Sequence, residues 1–234
     1  MDLILLKSIY QNKYKTIYTC LYENNTYICK KRPMLCVNYE YVNLEYLKKI
    51  TNIKIPKVIK KINYENNIYL ILTYFEGYDL FDAISINNFE NIDIIIFLNQ
   101  MLLIIKTLHD NNFAHRDIKP ENIILCSDNT YVLIDFESGT FENSYLLNGT
   151  YGYISPTILD NNNSIYNLSD LKNNDIYALA VTTYFIKYKC RYDEKDILNI
   201  KEKNDHLDQF INIMLLNYNK GIDYIIKQFE YYKI

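Results

Sequence analysis

The chain has 234 residues, 49% of them hydrophobic, and a formal net charge of −3. It is long enough for one large domain or two small lobes on a shared core, and its charge balance argues against a general nucleic-acid or membrane-surface binder. Five cysteines without a Cys-x-x-Cys pair, and a Met1–Lys7 apolar run too short for a secretory signal, point to a reduced cytoplasmic or nuclear setting.

In chain order, residues 3–31 alternate as three short strands, with Glu23-Asn24-Asn25 as the turn between the second and third. A helix follows over 37–50, with Leu44 and Leu47 on one face. Ile68–Phe75 is continuously apolar, as a buried strand is, and Glu76-Gly77-Tyr78-Asp79-Leu80 breaks it. Residues 91–110 read as a helix whose core side carries Ile95, Leu98, Leu102, Ile105 and Leu108. Asp93, Asn99, Gln100 and Lys106 interrupt this run, so it reads as a buried helix and not a membrane span. His109 packs at its end and is given no chemistry. Tyr131–Ile134 is a strand ending at Asp135-Phe136-Glu137, and residues 205–231 form two short helices.

Between the long helix and the strand-like Ile123-Ile124-Leu125 lies His115-Arg116-Asp117-Ile118-Lys119-Pro120-Glu121-Asn122. Taken alone, a charged stretch with proline is a common surface turn. Its eight positions nevertheless match, in order, H-R-D-x-K-P-x-N, the catalytic loop of eukaryotic-type protein kinases. The chain therefore resembles a protein serine/threonine kinase. Phosphoryl transfer leaves the protein mainly positioning and charge stabilisation. The resemblance assigns Asp117 as the carboxylate that takes the substrate hydroxyl proton and Lys119 as the cation beside the transferring group. It makes Asn122 and Asp135 the oxygen ligands of Mg2+, with Asp135-Phe136-Glu137 standing where the family has D-F-G.

The same resemblance implies the rest of an ATP site. Ile17 lies above the adenine, Ile124 also lines the nucleotide site, and Lys30, in Tyr27-Ile28-Cys29-Lys30, pairs the phosphates. Leu72 is the gatekeeper, backbone groups from Thr73 to Phe75 bond adenine, and Asp79 meets the ribose. The acidic helix partner of Lys30 falls on Asn43, with Glu40 one turn earlier on the same face. Gly149–Thr157 resembles the segment whose Thr150 contacts the catalytic Asp and Lys, and together with Lys119 it favours Ser/Thr over Tyr as acceptor. Arg116 is a candidate to hold a phosphate on Ser144, Tyr145 or Thr150. Asp175, in a stretch like the start of the family's central helix, is expected to bond the catalytic-loop backbone.

Four departures stand out. Tyr10, Asn12 and Lys15 replace the three glycines of the phosphate-covering loop, which removes close backbone approach. Lys13 and Lys15 offer charge instead. Ile28 adds bulk above the adenine, and Glu137 adds charge and stiffness beside the metal. Thr157 and Gly221 replace both members of a buried Glu–Arg pair, a joint loss that is nearly neutral where a single loss is costly.

The reading is an α+β, two-lobed protein-kinase-like fold over 1–234, with a small antiparallel-sheet N-lobe (about 1–75) and a mostly helical C-lobe (about 76–234). The implied function is ATP- and Mg2+-dependent phosphorylation of Ser/Thr hydroxyls on a protein substrate. A regulatory protein partner is allowed, and neither nucleic acid nor membrane is expected. The rival is a pseudokinase acting through protein binding. A small-molecule kinase is disfavoured by Lys119-Pro120-Glu121 and the 150–156 segment.

Overall fold

The computed structural model describes residues 3–35, 37–85, 92–161, 165–193 and 205–232. Two compact units divide it, Met1–Glu76 and Gly77–Ile234. The architecture is α+β, an antiparallel sheet in the first unit and mostly helices in the second.

The N-terminal unit is a five-stranded antiparallel sheet in the order β1-β2-β3-β5-β4. Its strands are β1 (Ile4–Gln11), β2 (Thr16–Tyr22), β3 (Asn25–Pro33), β4 (Val58–Tyr64) and β5 (Asn67–Thr73). Helix α1 (Tyr39–Leu47) joins β3 to β4. Strand alternation places Cys20, Cys29 and Ile71 in one buried cluster with Tyr22 and turns Lys30 to the opposite face.

The reading of three strands and a helix agrees with the structure, but β4 was not anticipated. Its signal is a repeat. Tyr-Glu-Asn-Asn occurs at 22–25 and again at 64–67, and both copies are two-residue hairpin turns. Glu23 and Asn24 have φ of 48° and 62°, and Glu65 and Asn66 have 45° and 58°. Two successive positive φ values match the right-handed twist of the flanking strands.

The C-terminal unit begins with β6 (Gly77–Asp79), which pairs with β7 (Ile123–Cys126); β7 in turn pairs with β8 (Tyr131–Leu133). Among the described residues its helices are α2 (Leu80–Ser85), α3 (Ile94–Asp110), α4 (Pro156–Leu159), α5 (Leu168–Tyr188), α6 (His206–Asn217) and α7 (Ile222–Tyr231). Asp93 caps α3, accepting from the N–H groups of Ile95 and Ile96 at 2.9 and 3.0 Å. Residue 91, the expected helix start, lies outside the described residues. Phe97, Leu98, Met101, Leu102, Ile105 and Leu108 form its buried side.

Helix α5 is buried on all sides from Asn174 to Ile186, as befits the centre of a helical core. It begins at Leu168, so Asp175 stands two turns inside it and not at its start, where the resemblance puts it. Among the described residues no helix is long and apolar enough to cross a membrane.

Glutamate has no side-chain device that favours the left-handed region, whereas asparagine does. Glu23→Asn and Glu65→Asn are each expected to raise the unfolding free energy by roughly 0.5–1 kcal/mol, read by denaturant titration. Loss of stability in both would contradict the turn assignment.

Candidate active site

The site is built on the loop between α3 and β7. Its backbone is fixed by the Asp175 carboxylate, which is 1% exposed. One oxygen accepts from the His115 N–H at 2.8 Å and from His109 Nε2 at 3.1 Å, and the other accepts from the Arg116 N–H at 2.7 Å. Arg116 takes φ +70°, an uncommon conformation for a bulky residue, and the bond to its N–H holds it there. Gly149 packs against this bend; a Cβ on it would lie 2.7 Å from the Arg116 carbonyl, at a φ of +123°.

Beyond the bend, Asp117, Lys119 and Thr150 meet. The Thr150 hydroxyl donates to Asp117 Oδ1 at 2.6 Å and accepts from Lys119 Nζ at 2.7 Å. Lys119 Nζ also stands 3.1 Å from Asp117 Oδ2. Asn122 ends a 3-10 turn over Pro120–Asn122. Its amide nitrogen donates to the Asp117 carbonyl at 2.8 Å and to Asp117 Oδ2 at 2.9 Å. The Ile134 N–H donates to the Asn122 carbonyl at 2.9 Å, which brings the backbone before Asp135 beside Asn122.

Asp135 has φ 61° and ψ 67° and is followed by a short 3-10 turn, Phe136–Ser138. The positive φ thus falls on Asp135. Glu137 lies inside the turn, so the stiffness expected from losing a glycine there carries no evident cost. Phe136 is buried, its ring 4.8 Å from that of His115 and 5.9 Å from that of Phe113. Asp79 and Ile124 sit opposite each other across β6 and β7. Asp79 accepts from the Asp82 N–H at 2.8 Å, starting α2, and burial raises its carboxyl above the ordinary carboxylate range.

In the N-terminal unit Lys30 Nζ lies 2.7 Å from Glu40 Oε1, with both side chains buried. Of the two partners left open by sequence, Glu40 makes the pair, and Asn43 is buried on the same helix. Ile17 pairs with Lys30 across β2 and β3, and Leu72 pairs with Ile28 across β5 and β3. The Thr73 N–H donates to the Lys57 carbonyl at 3.1 Å, so it is committed within the unit. Phe75 follows β5, half-buried.

The turn between β1 and β2 is closed by its own side chain. Asn12 Oδ1 accepts from the Tyr14 and Lys15 N–H groups at 2.8 and 2.7 Å. Lys13 and Lys15 lie over the rings of Tyr14 and Tyr10. No sequence signal singled out this role of Asn12.

Two further contacts involve residues singled out in the sequence. The Arg116 guanidinium bonds Ser144 Oγ at 3.2 Å and the Leu146 carbonyl, so it holds this segment through the segment's own groups. The Thr157 hydroxyl lies 2.7 Å from the Tyr218 hydroxyl. This hydrogen bond spans residues near the replaced Glu–Arg pair, and Gly221 serves a turn at φ +83°.

A carboxylate bridged to a lysine by a threonine hydroxyl, with an amide and a second carboxylate close in the backbone, is an arrangement that can hold a hydroxyl group and steady negative charge beside it. The family model described as protein kinase domain matches residues 17–229. The serine/threonine-protein kinase Nek1 of Mus musculus is 34% identical over 146 residues, covering 58% of this chain and 12% of that protein. Calcium-dependent protein kinase 4 of Plasmodium berghei is 33% identical over 204 residues, covering 80% and 37%. An Aurora kinase of Encephalitozoon cuniculi is 28% identical over 155 residues, covering 62% and 55%. The chain thus spans from about a tenth to about half of the length of these relatives. It belongs to the protein kinase family, on the eukaryotic serine/threonine branch.

Removing one member of a buried ion pair strands the other charge. Glu40→Ala is expected to destabilise the chain by about 3 kcal/mol or more, and Lys30→Met with Glu40→Leu by clearly less. Equal losses would contradict the pairing.

His115 is neutral in this fold: its Nε2–H donates to the Ile134 carbonyl at 3.0 Å and Nδ1 accepts from the Asp117 N–H at 3.3 Å. Burial pushes its pKa down, against the pull of Asp175 and Asp117. The unfolded chain therefore binds a proton below about pH 6.5 that the folded chain refuses. The stability that neutral His115 contributes is full above that pH and is lost as pH falls through it. Unfolding between pH 7 and 5 should show a steeper loss for the wild type than for His115→Phe.

Proposed function

We propose that the chain transfers the γ-phosphoryl group of ATP to Ser or Thr hydroxyls of protein substrates. The observation that carries this reading is the Asp117–Thr150–Lys119 bridge, with 2.6 and 2.7 Å bonds through one hydroxyl. Asp117 orients the acceptor hydroxyl and takes its proton, and Lys119 stands beside the group in flight. The Thr150 hydroxyl keeps both in register.

The residues present suit Mg2+. Both hydrogen bonds of the Asn122 side chain use its nitrogen, which turns its oxygen into the ligand atom, and Asp135 supplies a second hard oxygen. Asn122 and Asp135 would hold the ion, which would supply positive charge against that of the phosphates. In this reading Lys30, set by Glu40, meets the phosphates. Ile17, Leu72 and Ile124 line the adenine, Asp79 meets the ribose, and adenine is bonded by the Thr73 carbonyl and the Phe75 backbone.

One observation favours the rival reading, a pseudokinase acting through protein binding. The Tyr14 and Lys15 N–H groups, which in the resemblance would approach phosphate, are occupied by Asn12. The metal and proton residues, all retained, weigh more heavily for catalysis, since binding alone requires none of them.

Mg2+-dependent transfer from labelled ATP to a generic basic protein tests the reading. Asp117→Asn should lower the rate by roughly 10²–10⁴-fold, and Asp135→Asn should abolish the metal dependence with the activity. Thr150→Ser should retain most activity, whereas Thr150→Val loses about tenfold or more. A wild-type chain that neither binds Mg-ATP nor labels any protein would overturn the proposal in favour of the rival.

A further inference from the structure

Charge is distributed unevenly along this chain. Met1–Glu76 holds twelve Lys and Arg against six Asp and Glu, a net +6, and the remainder holds thirteen against twenty-two, a net −9. Within the basic unit one stretch is extreme. Between Glu45 and Glu65 the sequence carries Lys48, Lys49, Lys54, Lys57, Lys60 and Lys61 and no carboxylate. All six lysines are exposed. Edge-strand protection explains lysines on β4, but Lys48, Lys49 and Lys54 are outside any strand.

Helix α1, which leads into this stretch, is inverted. It buries Glu40 and Asn43 beside Leu44 and Leu47. It exposes Tyr39, Val42 and Tyr46, at 51, 45 and 44%. These three stand on one stripe of the helix, and Lys49 follows Val42 by two turns on that side. Lys61, from β4, lies 4.3 Å over the ring of Tyr41 on α1, which brings the helix and the lysine-bearing strand side by side. Glu45, the one carboxylate on the outer side of α1, is paired with Lys48 at 2.9 Å. Leu35 and Val37, just before the helix, are 98 and 60% exposed.

We propose that this face of the N-terminal unit, the outer side of α1 with Lys48, Lys49 and Lys61, docks on an anionic lipid surface; Lys60, paired with Ile71, points to the other face of the sheet. The lysines meet the headgroup charge, and Leu35, Val37, Val42 and Tyr46 enter the boundary between headgroups and acyl chains. The chemistry separates this ligand from other polyanions. Aliphatic side chains add nothing to contacts with a phosphodiester backbone, and the one arginine of the unit, Arg32, is buried. An acidic helix would seek a groove, whereas the outer stripe of α1 is convex and suits a flat, deformable surface. The charge of the whole chain conceals this face, because the acidic unit outweighs it.

The test is sedimentation of the full chain with phosphatidylcholine vesicles and with the same vesicles containing phosphatidylserine, at about 0.15 M salt. Binding is expected to the anionic vesicles only. Each lysine contributes roughly fivefold to such partition, so Lys48→Glu with Lys49→Glu should weaken it by more than tenfold. Val42→Ser with Tyr46→Ser, which leaves the charge intact, should also weaken it, with circular dichroism and melting temperature unchanged. Absence of binding to anionic vesicles overturns the proposal. So does binding that the serine variant leaves untouched while duplex DNA or polyglutamate competes fully, since the face would then be a general polyanion site.

Discussion

One carboxylate holds the candidate active site together. Asp175, sealed inside the central helix of its unit, accepts from two successive backbone N–H groups at 2.8 and 2.7 Å and from the His109 ring. These bonds stabilise the left-handed Arg116, and the bend at Arg116 aims Asp117 at Thr150. A buried carboxylate is costly unless its oxygens are satisfied, and here three donors converge on it. Catalysis by positioning tolerates little slack in the parts that carry the reacting groups. A helix buried on all sides is a stiff place from which to hold them.

The departures from the family pattern become coherent when followed to their contacts. Lost glycines in the β1–β2 turn are accompanied by Asn12, whose side chain closes the turn. Glu137 sits in a 3-10 turn that needs no glycine, because Asp135 takes the positive φ. Near the absent Glu–Arg pair a neutral bond joins Thr157 and Tyr218. Thr157 is exposed and Gly221 has open space around it, so neither position of the expected buried pair is buried here and no buried charge is at stake. These three changes each have a local structural answer, the pattern of a sequence under consistent constraint; the bulk of Ile28 has none in the structure.

Much of this was legible in the residue order. Asp117, Lys119 and Asn122 were marked by the resemblance of their loop to the family's catalytic loop and Thr150 by that of Gly149–Thr157 to a second family segment, and the structure brings the four together; Asp175 was marked by its resemblance to the family's central helix. Glu40 was not decidable, because counting along a helix fails when its start is uncertain. The helix begins at Tyr39 with Asn38 as its cap, and Lys30 selects the residue one turn earlier than Asn43. His109 and Tyr218 were invisible: their partners lie 66 and 61 residues away, and nothing local marks either. The fourth strand has a signal in the repeated Tyr-Glu-Asn-Asn turn, but Lys60 and Lys61 break the apolar–polar alternation that marks a strand.

The central claim is that the Asp175 anchor poises a working phosphotransfer loop. It is tested most directly by measuring kcat and KM for Mg-ATP in the wild type and in Asp175→Asn, with phosphorylated residues located by mass spectrometry. The account predicts Ser/Thr labelling by the wild type, and in the variant a lowered kcat with the KM for ATP little changed. Equal rates in the two chains would contradict it, as would a wild type that labels no hydroxyl at all.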